Sequence, residues 1–358
     1  MGWALDMEKR FYERGSLRRG ASCVLCAVLA ALPAGCGPSE EPPAKAVAPD
    51  SKQIDAAMRA IEAYMAADKP SEAVFVAEKL AAEAPGLMRA HEIHGRALVA
   101  LAMQPDLPSE DRAAVFARAA DAYLRAAALA PTNGPLQHAT GVVCDTAGRH
   151  EDAVRAYEAA HADEPTNAQF ALYLGMARAR DGRMDEARTL IEEAERAMPE
   201  SSDPKAALAD LAMRSGDPAR ARAKIAEARA LSPTSNELRV ADARMRRMSG
   251  APGESLELLL ALDAPLRRES ACAEEIAAAY TAQGKLREAA ATLDESASAR
   301  PNDWKRALRA ATAWMRAGDP VKATIAAEAA GLAGAPPSEV REALSGASGP
   351  RPGGTPTP

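Results

Sequence analysis

Aromatic residues are scarce in this chain, which has 4 Phe, 6 Tyr and 3 Trp among its 358 residues. A β-sandwich or β-barrel usually draws its core from such side chains, so the composition argues against both. A dominant charge is also lacking, because 44 Lys and Arg offset most of 50 Asp and Glu to leave a net charge of −6. This balance gives no reason to expect a nucleic acid as the main partner. What the chain has in abundance is alanine, together with Glu, Arg and Leu, which favour helices.

Long apolar runs are missing except near the N-terminus, where a basic segment precedes the apolar stretch at residues 21–35. That stretch is shorter than the roughly 20 apolar residues that a transmembrane helix needs. A basic lead, a short apolar core and small residues at its exit are typical of a bacterial export signal. Translation starting at Met7 would leave a tidier basic region. Cys23 and Cys26 form a C-x-x-C motif inside the apolar core, where no fold could activate a redox pair.

The segment LPAGC at residues 32–36 resembles the lipobox of bacterial lipoproteins, in which the cysteine is acylated and becomes the mature N-terminus. The sequence departs from that motif at Pro33, where leucine is usual. The resemblance implies lipidation of Cys36, and Gly37 in place of aspartate favours the outer membrane, facing the periplasm. Residues 37–53, rich in Pro, Ala and charge, are typical of a flexible tether. The alternatives are a soluble periplasmic protein and a cytoplasmic one whose start is misread.

Glycine recurs at a constant interval from residue 148 to residue 318, each time 34 residues after the last. Such regularity is the mark of an internal repeat. Most of these glycines are followed by alanine five residues later and by proline seventeen residues later. The same frame continues upstream through Ala73, Pro85, Ala119 and Pro131. The recurring glycines are Gly148, Gly182, Gly216, Gly250, Gly284 and Gly318.

The columns of this repeat predict a helical hairpin. A first helix ends at the glycine, which can take the left-handed conformation that closes a helix. A second helix ends at the proline, which cannot continue it. Residues such as Asn167 then stand where a side chain can cap the next helix. Small residues of the first helix, Gly141 and Gly175, are expected to meet Ala153 and Ala187 of the second, so that the two helices approach closely.

This pattern resembles the tetratricopeptide repeat, with large residues at positions 4, 7, 11 and 24, small ones at 8, 20 and 27, and proline at 32. Residues 168–201 match it well through Leu174, Gly175, Ala187 and Pro199. The resemblance implies an all-α fold. About eight hairpins would stack into an α-solenoid, a right-handed superhelix with a concave inner face.

The frame predicts eight units over residues 54–337, with an insertion around residues 104–111 in the second unit. The weakest match is the sixth unit, where Arg267 replaces the proline. A capping helix is expected over 338–345 and a disordered tail over 346–358. The units are 54–87, 88–133, 134–167, 168–201, 202–235, 236–269, 270–303 and 304–337.

No catalytic, metal or cofactor site emerges from the motifs. His91 and His94 lie three residues apart on one helix, but no third metal ligand is evident nearby, and both occupy packing positions of the repeat. Cys144 and Cys272 fall in distant repeats, so we expect two small buried side chains and no disulfide. The single glycines follow helices instead of preceding them, unlike a phosphate-binding loop. The sequence therefore predicts a protein that is not an enzyme and needs no cofactor.

A partner-binding groove follows from the resemblance, because first-helix positions 2, 5, 9, 12 and 13 of the family line the concave face. These columns hold six of the thirteen methionines and several arginines. We expect the arginines to be solvated. Flexible methionines beside positively charged arginines suit a partner segment that is apolar and carries acidic residues. Alternatively, some of the methionines pack into the core. No Asn occupies the columns, so the family's clamp for chain ends is not recognisable. The residues are Met58, Met65, Met176, Met213, Met248 and Met315, with Arg89, Arg96, Arg180, Arg214, Arg244, Arg247 and Arg316.

These features together predict an exported adaptor that binds protein partners and is attached to the membrane by a lipid anchor. The resemblance to bacterial outer-membrane lipoproteins of this kind implies a role in the assembly of envelope complexes. The alternatives are an accessory subunit that holds or regulates a periplasmic enzyme, and a cytoplasmic scaffold.

Overall fold

The computed structural model describes residues 50–104 and 107–345, and this part of the chain contains helices and no strand. Helices pack as antiparallel neighbours in hairpins, and each hairpin packs on the next, which confirms the all-α solenoid. The first four hairpins are α1 (Ser51–Ala66) with α2 (Pro70–Glu83), α3 (Met88–Ala102) with α4 (Ser109–Leu129), α5 (Gly134–Thr146) with α6 (His150–Asp163), and α7 (Ala168–Arg180) with α8 (Met184–Ala197).

Four further hairpins complete the repeat, and one short helix follows them. The sixth hairpin carries an extra helical turn after its second helix. These elements are α9 (Ser202–Arg214) with α10 (Pro218–Leu231), α11 (Asn236–Met248) with α12 (Pro252–Leu260) and α13 (Ala264–Arg268), α14 (Ser270–Ala282) with α15 (Leu286–Ser298), α16 (Trp304–Arg316) with α17 (Pro320–Leu332), and finally α18 (Pro337–Ser345).

The turn inside seven of the eight hairpins contains one residue in the left-handed region of backbone space. Gly148 has φ +77°, and the five later glycines of its column lie between +74° and +84°. The first helix closes there because the Arg149 N–H donates to the Cys144 carbonyl at 2.8 Å and the Gly148 N–H to the Asp145 carbonyl at 3.0 Å. Asp68 takes the same position in the first hairpin with φ +54°, a conformation that aspartate tolerates better than most residues.

Helix starts and stops also follow local chemistry. The Asn133 side chain accepts a hydrogen bond from the Leu136 N–H at 3.1 Å, and Ser235 accepts one from the Leu238 N–H at 3.2 Å. These caps satisfy N–H groups that have no partner inside the helix. At the other end, the residue before the proline leaves the helical region, as Glu164 does with ψ 77°, because the proline ring excludes it.

The close approach of helices within a hairpin differs from the small-against-small contact expected from the sequence. A Cβ added at Gly141 would clash with the ring of Tyr157, and one at Gly175 would lie 2.7 Å from Ile191 Cγ1. Each glycine therefore makes room for the large residue of the second helix. Ala187 contributes through its backbone, since its carbonyl oxygen lies 3.1 Å from the added Cβ at Gly175.

Two hairpins depart from the regular form. In the second, the inserted residues are followed by α4, which has 21 residues. In the sixth, α12 has 9 residues and ends at Leu260. The guanidinium of Arg267, which stands at the proline position, donates to the Leu260 carbonyl at 2.9 Å. The arginine thus caps a shortened helix, whereas six of the other hairpins have proline at this position and a longer second helix.

The apolar core is a series of local clusters and not one central mass. One cluster runs through the first four hairpins, and smaller ones follow along the later hairpins. Cys144 and Cys272 are free, buried and in different clusters. Burial raises the pKa of the Cys144 thiol to about 12 and that of Cys272 to about 11, so both behave as small apolar side chains.

A short helix covers the C-terminal end of the solenoid. At the C-terminal end, α18 packs on α16 and α17 and buries Ala343. The predicted export signal, the lipobox-like segment with Cys36, residues 37–49 and residues 346–358 lie outside the described part of the chain. Within the described part, no helix combines the length and apolarity required to cross a membrane. Acylation of Cys36 stays a prediction.

Candidate partner-binding groove

All twelve principal residues predicted to line the groove lie on the first helix of their hairpin. They therefore follow one side of the hairpin stack, from the first hairpin to the last. The residues are Met58 and Met65 on α1, Arg96 on α3, Met176 and Arg180 on α7, Met213 and Arg214 on α9, Arg244, Arg247 and Met248 on α11, and Met315 and Arg316 on α16.

The methionines of these columns differ in exposure. Five of the six are partly buried and pack against the core clusters beside them. Met248, the last residue of α11, is 54% exposed. Methionine fills irregular gaps well, so most of this column serves the packing between hairpins. Met248 is the methionine of the set that stands most open to a partner.

The groove columns are closed in the middle of the solenoid. His138, at position 5 of the third unit, is buried with the Phe170 ring stacked 5.1 Å away and the Tyr173 ring edge-on at 4.6 Å. Burial lowers the pKa of His138 to about 4, so the ring is neutral at neutral pH. Leu172, at the same position of the next unit, is also buried. A partner would therefore meet the later positions of these first helices, nearer the turns.

One of the predicted arginines links two neighbouring first helices. Arg180 Nη2 on α7 lies 2.5 Å from Asp145 Oδ2 on α5. The hydroxyl of Tyr157 donates to the same carboxylate oxygen at 3.2 Å. The Asp145 side chain is 12% exposed and that of Arg180 32%, so this contact is partly shielded from water. It ties the third hairpin to the fourth along the groove.

Two further arginines converge on one buried carboxylate. Arg244 Nε lies 3.3 Å from Glu275 Oε2, and Arg247 Nε lies 2.5 Å from Glu275 Oε1. Glu275, on α14, has a side chain 5% exposed, and that of Arg247 is 24% exposed. Arg247 thus differs from the expectation that both arginines are solvated, whereas the Arg244 side chain is 52% exposed. Reversing their charges would leave Glu275 buried beside two new acids, which would damage the fold before it reported on binding.

Acidic residues of the same columns were missed by the reasoning from sequence. Eight bases and eight acids occupy positions 2, 5, 9, 12 and 13 of the eight units, so the columns carry no excess of positive charge. The last hairpin holds two of the bases and no acid. These acids could have been found from the sequence, because they stand at the same repeat positions as the methionines and arginines. The acids are Asp55, Glu62, Glu92, Asp145, Asp203, Asp210, Glu237 and Glu274, and the bases are the seven arginines named above with Lys305.

The paired histidines of α3 have roles in packing. His91 is buried, and its Nε2 lies 2.9 Å from the Pro85 carbonyl oxygen. Burial lowers the pKa of His94. Across residues 50–104 and 107–345, no three His, Cys, Asp or Glu side chains come together in a way that could hold a metal ion.

Comparison with known proteins adds a family match over part of the chain. Residues 146–211 match the tetratricopeptide repeat family model, and no curated protein sequence matches the chain. The fold is similar to that of PilW, a widely conserved type IV pilus biogenesis factor, at 15% identity over 62% of this chain and 98% of that one, with a TM-score of 0.49.

Two further solved structures are similar at the same level. A tetratricopeptide repeat protein from Parabacteroides merdae shares 16% identity over 70% of this chain and 97% of that one, with a TM-score of 0.48. MamA from Desulfovibrio magneticus RS-1 shares 18% identity over 51% and 97%, with a TM-score of 0.43. Similarity at such identities concerns the fold alone. The chain is an all-α solenoid of tetratricopeptide-type hairpins, and its family match falls on residues 146–211.

Proposed function

We propose that this protein is a non-catalytic scaffold that holds a partner protein along the groove side of its first helices. The observation that carries this proposal is the exposed side chain of Met248, on a groove column of a solenoid whose first helices follow one another. Stacked hairpins present an extended surface of this kind to a partner. A large apolar side chain left open on that surface gains free energy when a partner covers it.

The partner that fits this surface is an apolar segment carrying acidic residues. Its apolar side chains would pack on Met248 and on the partly buried methionines, which adapt to different shapes. Arg180 and Arg247 already pair with carboxylates of this chain. The acidic residues of the partner are expected toward the last hairpin, because its groove columns hold the bases Lys305 and Arg316 and no acid, which gives them a net positive charge.

The groove assignment can be tested with a matched pair of substitutions in one hairpin. A photo-crosslinking amino acid at Met248 identifies the protein bound there, and the affinity for that protein is then measured for Met248→Glu and Leu260→Glu. Leu260, 43% exposed, lies on the second helix of the same hairpin. Met248→Glu should weaken binding by about tenfold or more, and Leu260→Glu should not. Equal affinities of the two variants, with helicity intact, would remove the groove assignment.

Export and lipid anchoring at Cys36 form the second part of the proposal. They are supported by the basic lead, the apolar stretch at residues 21–35, the LPAGC segment and the Pro-rich tether behind it. The scaffold would then sit on the outer membrane, face the periplasm and assist the assembly of an envelope complex.

Anchoring predicts a simple change of compartment. Cys36→Ala should move the protein from the membrane fraction to the soluble periplasm and abolish incorporation of labelled palmitate. Equal labelling with and without Cys36 would show that the anchor lies elsewhere or does not exist.

A further inference from the structure

One side of α16, the first helix of the last hairpin, is strongly basic. The exposed residues of this helix are Lys305, Arg309 and Arg316, so each of them is a base. The helix contains no Asp or Glu, whereas the whole chain has a net charge of −6. Residues four, seven and eleven apart lie on the same face of a helix, so the three bases form one face, here named the α16 basic face. Such a local inversion of charge favours the binding of an anionic group.

The middle base of this face has an acidic neighbour in the preceding hairpin. Arg309 Nη1 lies 2.7 Å from Glu274 Oε1 and 3.2 Å from Ser270 Oγ, both on α14. The Arg309 and Glu274 side chains are 49% and 46% exposed. An ion pair so open to water contributes little to stability, so another carboxylate can replace Glu274 at little cost. Glu274 would therefore compete with an acidic ligand for Arg309.

The spacing of the three bases favours a helical ligand. At about 1.5 Å per residue, Arg309 lies about 6 Å and Arg316 about 16 Å from Lys305 along the axis of α16. An extended segment, at about 3.3 Å per residue, covers these intervals in about two and then three residues. Its third acidic side chain would point to the opposite side, because successive side chains of a strand alternate. A helix beside α16 has the same period as α16, so its acids can face all three bases.

A long polyanion fits this face poorly. The face is only about three helical turns long. The first helix of the preceding hairpin, α14, has Glu274 and Glu275 and no base. A nucleic acid or an anionic membrane that reached beyond α16 would meet the exposed Glu274, and like charges repel. A short acidic helix avoids this repulsion because it need not extend past the three bases.

We propose that the α16 basic face binds an acidic helix of the partner protein, whose carboxylates, four and eleven residues from the first, face Lys305, Arg309 and Arg316. This inference rests on the proposed scaffold function and adds the form and the spacing of the partner's acidic segment. On binding, a carboxylate of the partner replaces Glu274 at the Arg309 guanidinium. Removal of the Glu274 charge should therefore strengthen binding, which a purely structural role of the ion pair would not produce.

Two synthetic helical peptides of identical composition test the face on the full chain, with fluorescence anisotropy at low ionic strength as the measurement. One peptide has three glutamates at its first, fifth and twelfth positions, and the other has the same glutamates distributed around the helix. The first should bind about fivefold more tightly, because only its glutamates can face all three bases. Equal affinities would overturn the proposal. Tighter binding to phosphatidylglycerol vesicles or to a single-stranded oligonucleotide than to the first peptide would also overturn it.

Substitutions of the two members of one ion pair should act in opposite directions. Arg309→Gln should weaken binding of the first peptide, and Glu274→Gln should strengthen it, each by about threefold. The matched control is the pair of Arg118 and Glu78, which also joins neighbouring hairpins at the surface, at 3.3 Å, but lies on second helices. Arg118→Gln and Glu78→Gln should leave the affinity unchanged. An unchanged or weaker affinity of Glu274→Gln, or an unchanged affinity of Arg309→Gln, with helicity intact, would contradict the proposal.

The protein captured at Met248 separates this inference from the scaffold proposal. If Met248→Glu weakens its binding while Arg309→Gln and Glu274→Gln do not change it, the groove assignment stands and the α16 basic face is ruled out. If Arg309→Gln and Glu274→Gln shift its affinity in opposite directions while Met248→Glu has no effect, the α16 basic face stands and the groove assignment at Met248 fails.

Discussion

At the scale of single residues, a buried charged residue contributes more to the packing between hairpins than an exposed one. Glu275 is nearly inaccessible to water and is held by two arginines of the preceding hairpin. Arg214, in contrast, pairs with Asp210 of its own helix at 2.6 Å, and both side chains are about half exposed. Both sets of residues lie near the predicted groove, but only the first is part of the packing between hairpins.

We expect this difference to appear in stability. Arg247→Ala removes the closer partner of a buried carboxylate and should lower the free energy of unfolding by about 1–3 kcal/mol. Arg214→Ala breaks an exposed pair within one helix and should cost about 0.5 kcal/mol or less. Urea unfolding of both variants measures the contrast. Similar losses for the two would mean that Glu275 does not depend on its arginines.

His138 links stability to pH. Burial lowers its pKa to about 4 from an ordinary value of 6.5. The unfolded chain therefore binds the proton near pH 6.5, and the folded protein only near pH 4. Above pH 6.5 the titration of His138 does not reduce the stability of the folded state. As the pH falls from 6.5 toward 4, the folded state loses stability progressively.

The expected size follows from about 1.4 kcal/mol per pKa unit, which gives a loss of about 2 kcal/mol between pH 6.5 and pH 5. His138→Phe keeps a ring against Phe170 but cannot titrate. Urea unfolding at pH 7 and pH 5 should show a smaller pH effect in the variant, by about that amount. A pH dependence identical to that of the unsubstituted protein would contradict the assignment.

At the scale of elements, the sixth hairpin is the weak member of the repeat. Positions 7 and 11, which are large and apolar in the family, hold Asp242 and Arg246, whose side chains pair at 2.9 Å. Asp242 also pairs with Arg229 of the preceding hairpin. Burying such a network costs desolvation that apolar packing avoids. The second helix, α12, is also the shortest of the second helices.

Native-state hydrogen exchange should locate this weakness. Backbone amides of α11 and α12 are expected to exchange faster than those of α5 to α8, whose hairpins have longer second helices and, at His138 and Tyr157, a buried aromatic cluster. Peptide-resolved mass spectrometry measures the difference. Uniform protection along the solenoid would show that the ion pairs stabilise as well as apolar contacts do.

At the scale of the whole molecule, helices pack against near neighbours in the chain. Such a stack is quasi-one-dimensional, and its length grows with each repeat. Small-angle scattering should therefore give a radius of gyration well above the roughly 21 Å of a compact domain of this length. A value near that of a compact domain would show that the stack folds back on itself.

The hairpins could be predicted from the sequence because their causes are local. Gly148 closes a helix, Pro165 ends the next one and Asn167 caps its successor, all within one repeat length. Each of these choices depends on backbone conformation and on hydrogen bonds a few residues apart. The early end of α12 at Leu260 was harder to predict from the sequence, although Arg267 at the proline position marked the unit as irregular.

The sequence by itself determined the repeat, the all-α solenoid and the positions that could line a groove. Only the tertiary structure decided which of those positions are open. Arg247 and Glu275 are 28 residues apart and meet because α11 and α14 pack side by side, and Met248 stays exposed one residue further on. Exposure depends on what the neighbouring hairpins bring to each site, and a single repeat does not contain that information.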